Sequence, residues 1–153
     1  MKFLSEADDI LEPVRSIEGR SHYGRQRTMY LSETPEGCEI ATKIYRRNDD
    51  PLRGIFPLLV NEARIVDLRD IEATEALGID RTHRQANWQE IRKQGLPSPT
   101  WEISDRVRTL GLDGMLYESR SKPSLTHLIL FRWNQTNAPN LERAGDPISP
   151  SNE

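Results

Sequence analysis

Between Ser98 and Phe131 the hydrophobic period of this chain changes from that of a helix to that of a strand, and one glycine marks the change. Ser98-Pro99 reads as an N-cap with proline at the first helical position. Ile103, Val107 and Leu110 then fall at i, i+4 and i+7, a single apolar stripe whose core Trp101 joins. Gly111 is placed to close that helix in a left-handed conformation. From that glycine on, the stretch Gly111-Leu112-Asp113-Gly114-Met115-Leu116-Tyr117-Glu118-Ser119-Arg120, followed by Leu128-Ile129-Leu130-Phe131, reads as two short strands that could form a hairpin around Lys122-Pro123-Ser124. One striped helix and two apolar strands bury their faces most simply against each other, so this segment commits the chain to helix layered on sheet. Ser119 stands where the first of these strands ends, and strand ends aim polar side chains into clefts.

The remaining chain supplies matching parts. Residues 16–26 are polar and glycine-bearing, a loop that delivers Arg20, and Thr28 to Ser32 alternates as a strand that delivers Tyr30. Thr34-Pro35-Glu36 starts a helix with an N-cap, a proline and an acid in the first turn, carrying Ile40, Ala41 and Ile44 on its apolar side and ending near Arg46-Arg47-Asn48. Residues 63–68 form a β-branched strand, with Asp67 as a turn former at its end. A short helical turn over 70–78 is closed by glycine, and 83–93 has helical composition with Trp88 and Ile91 three apart. Residues 134–153 contain three prolines and no period, and read as a polar, mobile tail. The expectation is an α/β (α+β) chain: a single compact domain over 1–133 with a central mixed sheet, and the tail behind it.

Composition narrows the function. A chain of 153 residues with 35% hydrophobic content has room for one core. A net charge of -3 argues against a phosphate-tracking nucleic-acid surface, and no apolar run reaches the length of a membrane span. Cys38 is the only cysteine, and His22, His83 and His127 are scattered without ligand spacing, so neither a disulfide framework nor a metal is expected, and the location reads as cytoplasmic. Seventeen of the 21 cations are arginine, the side chain that grips phosphate or carboxylate in two prongs. That bias suits an anionic small ligand.

The ordered set Gly19-Arg20, Tyr30 in Met29-Tyr30-Leu31-Ser32, Thr34-Pro35-Glu36, Ile65-Val66-Asp67-Leu68, Asp113-Gly114-Met115 with Ser119, and His127-Leu128-Ile129-Leu130-Phe131 resembles the RES-domain family over residues 15–133. The resemblance implies an ADP-ribosyltransferase-like fold. It also implies a toxin of a toxin–antitoxin pair that consumes NAD, as substrate, at the nicotinamide–ribose bond by phosphorolysis, hydrolysis or ADP-ribosyl transfer, with a protein antitoxin as partner. By that resemblance Arg20, Tyr30 and Ser119 match the family's arginine, tyrosine and serine. Their chemistry suits a dinucleotide: a guanidinium for phosphates, a ring for stacking, a hydroxyl for ribose. Arg27, carried on the same short loop, is a further candidate for phosphate.

One position departs from the family. Its glutamate lies eleven residues after the tyrosine, and here that residue is Ala41. Glu39, two positions earlier and about 200° away around a helix, is one substitute, although it points to the opposite face unless the helix starts in another register. Glu118 is another, although strand alternation turns it away from Ser119. His127 stands where the family commonly has asparagine. Two readings follow: an NAD-consuming enzyme, or a degenerate domain that binds a nucleotide or a protein partner without turnover.

Overall fold

The structure, a computed structural model, describes residues 1–151. Its strands are β1 (Lys2–Phe3), β2 (Met29–Ser32), β3 (Arg53–Gly54), β4 (Leu58–Asn61), β5 (Ile65–Asp67), β6 (Gly114–Glu118), β7 (Thr126–Leu130) and β8 (Asn140–Arg143). Its α-helices are α1 (Pro35–Thr42), α2 (Ile71–Ala76), α3 (Trp88–Lys93) and α4 (Pro99–Thr109). Four strands make a central mixed sheet in the order β2-β7-β6-β5. The β6–β7 hairpin is antiparallel with Met115 opposite Ile129 and Tyr117 opposite His127, and β2 adds antiparallel to β7 with Tyr30 opposite Ile129. β5 runs parallel to β6. A parallel pair needs a long crossover, and α2, α3 and α4 supply it. The smaller sheets are the antiparallel pairs β1-β3 and β4-β8.

Alternation divides the side chains between the two faces. On one face Val66, Met115 and Ile129 meet Ile103 and Val107 of α4, with Tyr30 and Tyr117 packed at the edge of the cluster. On the other, Met29 and Leu130 join Trp133 and Leu141 beneath β4 and β8. Ser98 caps α4, accepting from the Thr100 N–H, and Gly111 closes it at a φ of 73°.

Three local expectations need correction. Residues 134–151 do not form a tail without structure: β8 pairs with β4 and Leu141 is 1% exposed, because a single apolar residue on a short strand suffices to close the second core. Asn152 and Glu153 lie outside the described residues. The 83–93 stretch is divided into a 3-10 turn over Arg81–Gln85 and the short helix α3. α1 stops at Thr42 and tightens into a 3-10 turn over Lys43–Tyr45, which leaves Ala41 and Ile44 exposed instead of on a buried stripe.

Candidate active site

Arg20 sits in a loop that is clamped from below by α4. Trp101 Nε1 donates to the Gly19 carbonyl at 2.8 Å, the Thr100 hydroxyl donates to the Arg20 carbonyl, and Arg108 Nη2 donates to the Ser21 carbonyl at 2.9 Å. The next turn is held in the same way: the Tyr23 hydroxyl donates to Asp105 Oδ2 at 2.5 Å, and Gln26 Nε2 donates to Asp105 Oδ1 at 3.2 Å. Five bonds from one helix leave the loop little freedom, as an anion-binding group needs if it is to be preorganised.

β2 clamps the loop from the other side. The Tyr30 hydroxyl accepts the Ser21 N–H at 3.0 Å and lies 2.7 Å from His22 Nδ1, while His22 Nε2 faces the Ser16 carbonyl at 3.0 Å. A carbonyl only accepts, so Nε2 carries the imidazole proton and Nδ1 takes the proton of the Tyr30 hydroxyl. Gly19 is required beside this pair: a Cβ there would stand 2.5 Å from His22 Cε1 and 3.0 Å from the Tyr30 oxygen. Burial pushes the Tyr30 phenol up and the His22 imidazole down. Both are therefore neutral, and they form a strut within the protein.

The Arg20 guanidinium itself is half-buried and has no carboxylate partner among the described residues. Its Nη1 donates to the carbonyls of Arg84 at 3.3 Å and Ala86 at 3.2 Å, which leaves Nη2 and Nε without a partner there. Burial lowers its affinity for the proton, yet a guanidinium keeps its charge. That charge acts on Tyr117, Tyr45 and Tyr30, and on His127. Burial pushes the Tyr117 phenol up to about 12, so it is a neutral donor, and its hydroxyl has no partner among the described residues. His127 lies with its ring centre 5.3 Å from that of Tyr117 and its Nδ1 2.7 Å from the Ser32 hydroxyl, and burial lowers its basicity. A cavity of about 20 Å³, room for one water, is lined by Arg20, Arg84, Tyr117 and Met115. A wider cavity of about 600 Å³ reaches His127 but is walled by Leu31, Leu116 and Leu128 from the other face and does not include Arg20.

The structure therefore joins Arg20 to Tyr30 through the loop. Ser119 is buried; its N–H extends the hairpin to the Leu125 carbonyl and its hydroxyl accepts the Lys122 N–H at 3.3 Å. No bond links it to Arg20. Arg27 is not brought to the cleft: its guanidinium lies 3.8 Å over the Trp133 ring and donates to the Trp133 carbonyl, on the opposite face of the sheet. Glu39 is also elsewhere. It accepts from the Ser151 N–H and hydroxyl, which hold its carboxyl below the usual range. Glu118 accepts from Arg84 and Gln85; burial is the largest single influence and would raise the carboxyl, but the hydrogen bonds it accepts and the Arg84 charge together hold it below the usual range. No bond among the described residues joins a carboxylate to Arg20, Tyr117 or His127.

Sequence reasoning missed His22, Tyr117, Thr100 and Arg108. His22 had one available signal, its place two residues after Arg20. The others lie about 80 or more residues from the loop in sequence, and only the crossover from β5 to β6 brings them to it.

The sheet, the helix clamp and a half-buried guanidinium with no carboxylate partner among the described residues together describe a small α/β domain with a cationic corner at Arg20. The chain belongs to the RES domain family, whose sequence profile matches residues 5–149, including β8. No curated protein and no solved structure matches it. Among the described residues no helix is long and apolar enough to cross a membrane, and no group of three or more His, Cys, Asp or Glu is placed to hold a metal ion.

Proposed function

We propose that the Arg20 cleft binds NAD, or a relative containing ADP-ribose, and acts on the nicotinamide–ribose bond. The observation that carries this reading is the half-buried Arg20 guanidinium, fixed on one nitrogen by two carbonyls and with its other donors meeting no acceptor among the described residues. A desolvated cation in that state is completed by an anion, and a diphosphate offers the planar, two-pronged contact that arginine favours. Tyr117 adds a neutral hydroxyl and an aromatic edge for the ribose or the base. Ser119 has its own hydroxyl hydrogen left to give, a suitable partner for a ribose oxygen.

Cleavage at this bond breaks C1′–N1. Nicotinamide leaves with the bonding pair as a neutral base, C1′ passes through an oxocarbenium-like state, and water or phosphate supplies the electron pair that forms the new bond. Arg20 positions the diphosphate so that the bond is held in place, and a carboxylate beside C1′ would stabilise the developing charge. This chain has Ala41 where the family has that carboxylate, and Glu39 and Glu118 are both engaged elsewhere. A second reading has its own support there: binding of the dinucleotide, or of a protein partner, with little or no turnover. In the first reading the domain is a toxin whose protein antitoxin covers the cleft.

Purified protein incubated with NAD, with and without phosphate, separates the two. Release of free nicotinamide that Arg20→Ala abolishes supports the enzyme. NAD binding that Arg20→Ala abolishes, without release, supports the binding domain. Release unaffected by Arg20→Ala contradicts the site.

A further inference from the structure

The carbonyls that hold Arg20 belong to Arg84 and Ala86, at the end of the 3-10 turn, and that turn is fastened to the sheet by one carboxylate. Glu118 Oε1 accepts from Arg84 Nε at 2.8 Å and from Gln85 Nε2 at 3.1 Å. Two consecutive side chains of the turn thus end on the same oxygen, at the last residue of β6. Arg84 joins both interactions: its backbone carbonyl takes the Arg20 hydrogen while its side chain takes the carboxylate. The pair is not an exposed ornament, since the two side chains are 26% and 15% exposed and the second oxygen, Oε2, is buried without a partner. Removing one member of such a pair leaves the other buried and uncompensated, so the turn would be expected to move.

We infer that Glu118 is a positioning residue for the cleft: through Arg84 and Gln85 it fixes the two carbonyls on which Arg20 rests, and so fixes the direction of the guanidinium's remaining donors. The inference rests on the reading of Arg20 as the anion ligand. It also accounts for an acid beside the family serine that strand alternation turns away from the cleft. Glu118 acts on the ligand from behind the guanidinium and touches no reacting atom.

Titration of the whole protein with ADP-ribose tests this. Glu118→Ala and Arg84→Ala are each expected to weaken binding about tenfold, equal to about 1.4 kcal/mol, whereas Glu118→Gln, which keeps an oxygen to accept both bonds, stays within about threefold of the parent. In an Arg20→Ala background, followed to millimolar ligand, Glu118→Ala is expected to cause no further loss, since its effect passes through Arg20. If Glu118→Ala is too unstable to titrate, Arg84→Ala carries the same comparison, because it removes the ion pair and keeps the carbonyl. Full affinity in Arg84→Ala, or an undiminished loss from either change in the Arg20→Ala background, overturns the inference while leaving Arg20 as a ligand. Full affinity in Arg20→Ala alone overturns the reading beneath it, and the inference with it.

Discussion

The Tyr30 hydroxyl donates to His22 Nδ1 across 2.7 Å and accepts the Ser21 N–H at 3.0 Å, so both functions of the phenol are used inside the protein. Tyr30 therefore supports the loop that carries Arg20 and has no hydrogen bond left for a ligand. Tyr30→Phe removes both bonds from a buried site and is expected to cost about 1–3 kcal/mol. It should also weaken ADP-ribose binding. Chemical denaturation gives the first quantity and a ligand titration the second; unchanged stability would contradict the strut.

Two buried histidines, His22 of that strut and His127 of β7, make stability depend on pH. His22 and His127 are both held below their ordinary value of 6.5, chiefly by burial. A group depressed in the folded state binds its proton first in the unfolded chain, so its contribution is complete above about 6.5 and is lost as the pH falls from there through the folded value. Melting temperature should therefore decline below about pH 6.5. His22→Asn keeps an acceptor for Tyr30 but cannot titrate there, and its decline should be shallower than the parent's.

Gly19 offers a sharper probe of the same corner. A methyl group at this position meets His22 and Tyr30 inside contact distance. Gly19→Ala is expected to destabilise by about 1–3 kcal/mol and to weaken ligand binding. Arg27→Ala should also destabilise, through loss of its stacking on Trp133, yet leave ADP-ribose affinity unchanged, because Arg27 lies across the sheet from Arg20. Equal losses of affinity in Arg27→Ala and Arg20→Ala would contradict this placement.

Ala41 lies four residues before Tyr45, whose ring is within electrostatic reach of Arg20, and it is exposed at the end of α1. Ala41→Glu puts a carboxylate on that side at a cost in stability of at most about 0.5 kcal/mol. Nicotinamide release is expected to rise at least about tenfold, equal to about 1.4 kcal/mol of barrier. Glu39→Gln, by contrast, should leave release unchanged, since Glu39 is bonded to Ser151. An effect of Glu39→Gln with none from Ala41→Glu would reverse the two roles.

Much of the frame is legible in the sequence. Ser98, Pro99 and Gly111 set the ends of α4, and alternation places Met115 and Ile129 on the face that α4 covers, because caps and periods are local signals. Arg20 and Tyr30 are legible as candidates for the same reason that the family is: residue types in order. What the chain does not announce is partnership across long separations. Trp101 reads as packing, and it is buried, but its indole N–H also holds the Gly19 carbonyl. Arg27 and Glu39 were plausible by proximity in sequence, but the register of β2 and the short α1 send them elsewhere. Leu141 hides in a polar stretch where one residue, lacking any period, closes a core.

The most direct test is a calorimetric titration of ADP-ribose into the parent protein and Arg20→Ala, with folding of both checked by circular dichroism. A ligand role for Arg20 predicts saturable one-to-one binding to the parent and a loss of at least about 30-fold in Arg20→Ala, equal to about 2 kcal/mol, with the fold intact. Equal affinity of the two proteins, or no binding to the folded parent at millimolar ligand, would contradict it.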